Sequence, residues 1–434
     1  MWHRGEALGR KGAIAAGHPL AAFTGLKVLS QGGNAIDSAI AAAAVSAVVL
    51  PHACSIGGDA FMIIRPERGE VKALNASGPA PASAHREAFL KEGIPKAGAS
   101  ASTVPGVLQG WEEALKSYGT MELGEALEEA IRYAEEGFCT SSKLSEAIAR
   151  WAPTFEQFPD WRSLFTPSGA PLRPGQLLVQ KGLAQTLRVI AKEGAQAFYG
   201  GEVGQKFVRF CQENGGLIDC NDLEGYRCRW EEPIKTGYRG FEVLEVPPNS
   251  WGFLLLLQLN LLEGFDLASM KHNSTDYIHT MLEAKRLAFA VKERFLGDPD
   301  FSPIPLEGLL SKSYAEKLRG TMNPDRAGTV IPDLNPPHPS DTTYMAVAAG
   351  RGNLVSLIQS IFMPFGCGRV AGDTGIVMNN RMTGFTLEPH ARKRQARHHR
   401  PGDILPQGWG GPQAGGGCPG PMTPSITSPP LSNL

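Results

Sequence analysis

The residues with the most definite chemical potential lie in SDTTYMAV, Ser340 to Val347, where an acid is followed by two threonines and a strand-like alternation. A threonine hydroxyl is a weak nucleophile without a base beside it. A threonine at a chain start carries that base itself, because an α-amine with a pKa of about 7.7–8 can accept the hydroxyl proton near neutral pH. Thr342 would gain such an amine only if the Asp341–Thr342 bond were broken. Its own hydroxyl can break that bond, by attacking the Asp341 carbonyl in an N-to-O acyl shift followed by hydrolysis. Taken alone, a Thr-Thr pair opening a strand is ordinarily structural, since β-branched residues suit strands. The dipeptide by itself leaves both readings open. The preceding IPDLNPPHPSD is proline-rich and reads as an exposed loop, where a chain break is tolerated.

Other routes to chemistry find little support. SIGGDAF (Ser55–Phe61) is glycine-rich after a helix but lacks the Lys-Ser/Thr of a phosphate loop, and there is no G-x-S-x-G elbow or H-E-x-x-H zinc pair. Seven cysteines are scattered without metal-ligand spacing, which points to reduced thiols in a cytoplasmic protein. Neither a metal nor an organic cofactor is expected. The net charge of −1 gives no reason to expect a nucleic-acid or membrane-surface partner. The apolar run NAIDSAIAAAAVSAVVLP contains Asp37 and many small residues, so it reads as a buried helix rather than a membrane span.

The elements that must position the threonines follow from spacing and punctuation. Helices are predicted over Pro19–Gln31, stopped by Gly32-Gly33, and from an Asn34 cap through Val49. Further helices are expected at Val107–Tyr118, Leu123–Glu136, Gly182–Glu193, Val203–Glu213 and Asp276–Phe295. AFMIIR and VKALNA, joined by a PERGE turn, read as strands, as do YRGFEVLEVP, TYMAVAA, LVSLIQSIF and GIVMN. Strands thus lie at both ends of the chain, and helical layers on antiparallel sheet would bury both sets. Residues 391–400 are almost all basic, and 401–434 hold 8 Pro and 8 Gly, a composition that predicts disorder.

The chain resembles the γ-glutamyltransferase family of N-terminal-nucleophile hydrolases from roughly residue 12 to residue 386. GGNAIDSAIAAAAVSAVVLPHACSIGGDAFMII, STVPGVLQGWEEALKSYG, GGLIDCNDLEGYRCRWEEP, EAKRLAFAVKERFLGDPDF and DTTYMAV with GNLVSLIQSIFMPFGCGRVAGDTGIVMNNRM occur in family order. The resemblance implies an α+β fold, a four-layer αββα sandwich built by a large portion (1–341) and a small one that starts at 342 and spans 342–390, followed by the 391–434 tail. It makes Asp341–Thr342 the self-cleavage site, Thr342 the nucleophile, Thr343 its positioning neighbour and Ser360 the hydroxyl that assists the nucleophile's amine. The expected partner is a small-molecule amide substrate.

Departures from the family pattern bear on that substrate. Ser77 and Gly78, in LNASGPAP, stand where glutathione-processing members have an Arg-Glu pair whose arginine holds the substrate's α-carboxylate. Gly384 replaces an Asp that holds the α-amine, and Phe362 stands where a glutamyl-contacting Asn is expected. Charge-assisted bonds of this kind contribute about 1.5–3 kcal/mol each, so losing two predicts a non-glutamyl amide substrate. LNASG with SLIQS resembles a branch that includes oxamate amidohydrolase-like enzymes. Arg381 is the candidate to compensate, which would restore a γ-glutamyltransferase acting on glutathione-like peptides. After Phe385 the match fades, and the glycines of 410–417 do not match the family's oxyanion-binding pair. The fold is therefore expected to be incomplete at the C-terminus, through truncation or a shifted reading frame, with a catalytically silent fragment as the further alternative.

Overall fold

The computed structural model describes residues 8–328 and 342–387, and the backbone of two short strands at 405–406 and 425–428. Helix α1 (Pro19–Gln31) starts behind His18, whose Nδ1 accepts the Leu20 N–H at 3.2 Å, and stops at Gly32, whose φ of 103° few other residues tolerate. Helix α2 (Ala35–Val49) opens with a reciprocal capping box between Asn34 and Asp37, and all of its residues are buried. Asp37 survives inside this apolar run because its carboxylate accepts from the Thr120 hydroxyl at 2.6 Å and from the Thr120 and Met121 N–H groups at 2.7 and 3.1 Å.

In chain order the strands are β1 (Gly12–Ala15), β2 (Asp59–Arg65), β3 (Lys72–Ala76), the short pair β4 (Phe138–Cys139) and β5 (Leu177–Leu178), β6 (Arg229–Glu231), β7 (Ile234–Tyr238), β8 (Phe241–Glu245), β9 (Thr343–Ala349) and β10 (Leu354–Ser360). The main sheet has the order β1-β9-β10-β2-β3-β6 and is antiparallel throughout. The first strand of the chain thus pairs with one that begins more than 300 residues later.

Alternation along β2 divides its side chains between two cores. Met62 and Ile64 join α2 and the neighbouring helices, whereas Phe61 and Ile63 meet Ala73, Ile358 and Val246, the last lying just beyond β8. That second core joins the main sheet to a smaller one, and helices at Gly252–Leu262 and Thr275–Phe295 cover the smaller sheet through Phe253, Leu254, Leu257 and Leu287. Helix, sheet, sheet and helix therefore stack in the four αββα layers implied by the resemblance. Each fully buried Leu or Phe in these layers contributes about 1.5–3 kcal/mol.

Three local expectations need correction. YRGFEVLEVP is not one strand: Tyr238 ends β7 and Phe241 begins β8, with Arg239 at φ 48° and Gly240 at φ 84° making the two-residue turn between them. GIVMN forms only isolated bridges, Val370 with Val377 and Gly57 with Met378, because Asn379 and its neighbours are held by side-chain bonds instead. Helices at Ser142–Phe155 and Gly252–Leu262 were not anticipated, the latter because GFLLLLQLNLL is apolar all round and shows no helical period.

Within 391–434, where composition predicts disorder, β12 (Leu405–Pro406) pairs with β11 (Phe385–Thr386), and β13 (Ser425–Ser428) pairs with β8. Asp341 and the proline-rich stretch before it lie outside the described residues. No helix among the described residues is long and apolar enough to cross a membrane.

Candidate active site

Thr342 sits immediately ahead of β9, whose hairpin with β10 sets Thr343 opposite Gln359. That register brings Ser360, the last residue of β10, to Thr342: the Thr342 hydroxyl donates to Ser360 Oγ at 3.1 Å. Ser360 is buried and also accepts the Phe362 N–H at 2.8 Å. Gln359 anchors this strand end to α2 by donating to the Ala43 carbonyl at 2.8 Å. Thr343 is buried, and its hydroxyl has no hydrogen-bond partner among the described residues. Gly17 packs against it so closely that a Cβ there would lie 2.6 Å from the Thr343 hydroxyl.

On the other edge of β10, Ser360 is paired with Asp59, the first residue of β2. Asp59 is fully buried and accepts from Arg381 Nε at 2.6 Å. Burial pulls the Arg381 pKa down from the usual arginine range, against the opposing pull of Asp59. The guanidinium lies 4.9 Å from the centre of the Phe362 ring. Gly384 meets the same ring, since a Cβ there would be 3.4 Å from its edge. Phe362, Arg381 and Gly384 are thus one cluster next to Ser360, with Phe362 at a φ of 81°.

Two asparagines place Arg381. Buried Asn379 donates to the carbonyls of Gly57 and Thr103, both at 2.9 Å, and accepts the Arg381 N–H at 3.0 Å. Asn380 accepts the Met363 N–H at 3.0 Å and donates to the Lys96 carbonyl at 2.9 Å. Neither asparagine was singled out from the sequence, nor was Asp59. Asp59 did leave a trace, as the one acid in the long apolar stretch between Ser38 and Ile64.

A cavity of about 510 Å³ opens beside this cluster, its wall including Ser77, Gly78, Asn249, Arg229, Arg381 and Phe385. Ser77 and Arg381, both expected to meet substrate, share this one wall. Thr342 is not part of it and connects to it through Ser360, Asp59 and Arg381. Gly78 is required by contact: a Cβ there would lie 1.5 Å from the Val104 carbonyl oxygen. At the rim Arg229 pairs with Asp300 at 2.5 Å. Near them burial pushes the Glu231 carboxyl up to about 7, against Arg229 and a bond from Asn75, and with Asp300 and Asp298 adding to the rise. Among the described residues no group of three or more His, Cys, Asp or Glu side chains is placed to hold a metal ion.

Two packed sheets between helical layers, with Thr342 at the head of an inner strand of the larger sheet, define a four-layer αββα sandwich. The gamma-glutamyltranspeptidase family profile matches residues 21–404, and the chain belongs to that family. The glutathione hydrolase-like YwrD proenzyme of Bacillus subtilis is 38% identical over 403 residues, covering 92% of this chain and 76% of that one. The oxamate amidohydrolase proenzyme of Klebsiella pneumoniae is 32% identical over 385 residues, covering 87% and 72%. The crystal structure of cephalosporin acylase from Bacillus halodurans superposes with a TM-score of 0.83 at 33% identity, over 98% of this chain and 76% of that one. The chain is an enzyme of the amidohydrolase/transferase kind, from a family of proenzymes.

Proposed function

We propose that this protein cleaves itself between Asp341 and Thr342 and then hydrolyses small non-glutamyl amides through a Thr342 acyl-enzyme. The observation that carries this reading is the 3.1 Å bond from Thr342 to the buried Ser360, which fixes the hydroxyl at the head of β9. In the self-processing step, Thr342 Oγ1 attacks the Asp341 carbonyl carbon. The peptide C–N bond breaks, nitrogen takes the hydroxyl proton, and water hydrolyses the resulting ester. The freed α-amine then accepts the hydroxyl proton as Oγ1 attacks a substrate amide, and passes it to the leaving nitrogen. Water, deprotonated by the same amine, resolves the acyl-enzyme.

The wall at Ser77 and Gly78 and the missing side chain at Gly384 support a non-glutamyl substrate. So do the oxamate and cephalosporin substrates in the names of the relatives. The γ-glutamyl reading keeps two observations in its favour: Arg381 lines the cavity and could meet a carboxylate, and the Bacillus subtilis relative is named for glutathione hydrolysis. Assay of γ-glutamyl-p-nitroanilide against a panel of small non-glutamyl amides, oxamate among them, decides between the two readings. On a denaturing gel the processed protein should give pieces of 341 and 434 − 341 = 93 residues, the smaller beginning Thr342-Thr343-Tyr344, and Thr342→Ala should stay whole. Amide turnover by a chain that never exposes Thr342 as a terminus would defeat the mechanism.

A further inference from the structure

Ser77, Asn75 and Asn249 close a hydrogen-bonded ring in which each side chain donates to the next. The Ser77 hydroxyl donates to Asn75 Oδ1 at 2.7 Å, Asn75 Nδ2 to Asn249 Oδ1 at 2.9 Å, and Asn249 Nδ2 to Ser77 Oγ at 3.0 Å. Its direction is forced by the backbone. The Ser77 N–H can only donate and points at Asn75 Oδ1, 3.1 Å away, so the Asn75 amide nitrogen must face the other way. There it meets Asn249 and, at a long 3.5 Å, Glu231 Oε2, so the Asn249 atom facing it must be oxygen. Ser77 then accepts from Asn249 and gives its only proton to Asn75.

This accounting fixes what the ring can offer a ligand. Asn75 is buried and fully used. Ser77 and Asn249 line the cavity. They present one unused N–H on Asn249, with unused lone pairs on Asn249 Oδ1 and Ser77 Oγ. The cavity's formal charges balance around this neutral wall: Arg227, Arg229 and Arg381 line it with Asp298 and Asp300, and Asp59 is bonded to Arg381. An ammonium group would leave the N–H unmet, and a carboxylate would face the lone pairs. A primary carboxamide matches both the donor and the acceptors.

We propose that the ring of Ser77, Asn75 and Asn249 is a specificity subsite that reads an uncharged carboxamide on the acyl part of the substrate, with Asn75 as its positioning residue. This deepens the proposed amidohydrolase reading and rests on it. The test is calorimetric binding of product-like acids to the full-length protein, in matched sets at two lengths: succinamate, succinate, 4-aminobutyrate and butyrate, and glutaramate, glutarate, 5-aminovalerate and valerate. At one length or both, the carboxamide should bind at least tenfold tighter than its three counterparts. Asn249→Ala and, independently, Ser77→Ala, which leaves the Asn75–Asn249 bond in place, should each reduce that preference to within threefold. A carboxamide bound no tighter than its counterparts, or a preference that survives both substitutions, overturns the subsite. Self-cleavage followed on the same samples separates the two readings. Carboxamide preference without cleavage sinks only the Thr342 mechanism, and cleavage without the preference sinks only the ring.

Discussion

Arg381 Nε lies 2.6 Å from Asp59 Oδ2, and Asp59 is the cross-strand partner of Ser360, the residue that holds the Thr342 hydroxyl. One buried ion pair therefore ties the cavity wall to the strand end that meets Thr342, the nucleophile in the proposed reading. Removing one member of such a pair leaves a charge buried without its partner, which typically costs about 3–5 kcal/mol. Asp59→Ala should lower unfolding stability by that order in chemical denaturation, and the Asp59→Ala/Arg381→Met double variant should lose less than the sum of the two single losses. Additive losses would show that the pair is not coupled.

Ser360 contributes through a single oxygen. Ser360→Ala should slow self-cleavage and amide turnover by roughly ten- to a hundredfold, the kinetic equivalent of the 1–3 kcal/mol of one well-placed hydrogen bond. Ser360→Thr, which keeps the hydroxyl, should retain most of the rate. Native rates in the alanine variant, timed on gels and with a chromogenic amide, would remove Ser360 from the site.

The base assigned to the mature enzyme is an α-amine, so turnover should rise with pH through about 7.7–8 as that amine loses its proton. A profile of kcat/KM flat across that range would point to another base.

Glu231 makes stability depend on pH. Its carboxyl is raised from 4.5 to about 7 in the fold, so the folded chain holds a proton that the unfolded chain has lost between those values. The penalty of burying the charge grows as pH rises through this window and is complete above about 7. Glu231→Gln, which mimics the protonated form, should be more stable than the native protein near pH 8 by on the order of 3 kcal/mol, and equal to it below about pH 4.5. Denaturation midpoints that track together across pH would refute this.

Gly78 stands with Ser77 in place of the Arg-Glu pair of glutathione-processing members, and the reason for the glycine is steric. Gly78→Ala would put a methyl group 1.5 Å from the Val104 carbonyl oxygen. The backbone must then move, at a cost above the usual 1–3 kcal/mol of overpacking. A melting temperature unchanged by the substitution would contradict the close approach.

The sequence by itself determined what local physics can specify. Caps at Asn34 and Gly32 bound α2 and α1, period-2 alternation marks β9, short apolar and β-branched runs between turns mark β2, β3 and β10, and the ordered motifs carry the family. It failed where local signals mislead or fall silent. Gly252–Leu262 has no period to read, and Arg239 hides the left-handed turn between β7 and β8.

Only the tertiary structure decided the company of Thr342. Asp59 and Arg381 are more than 300 positions apart and meet because β2 pairs with β10 while Asn379 clasps Gly57. Ser77 and Asn249 likewise join only when β3 lies against the segment after β8. Such contacts depend on sheet register and on polar groups that must find partners once buried, and neither requirement is written in the spacing of neighbouring residues.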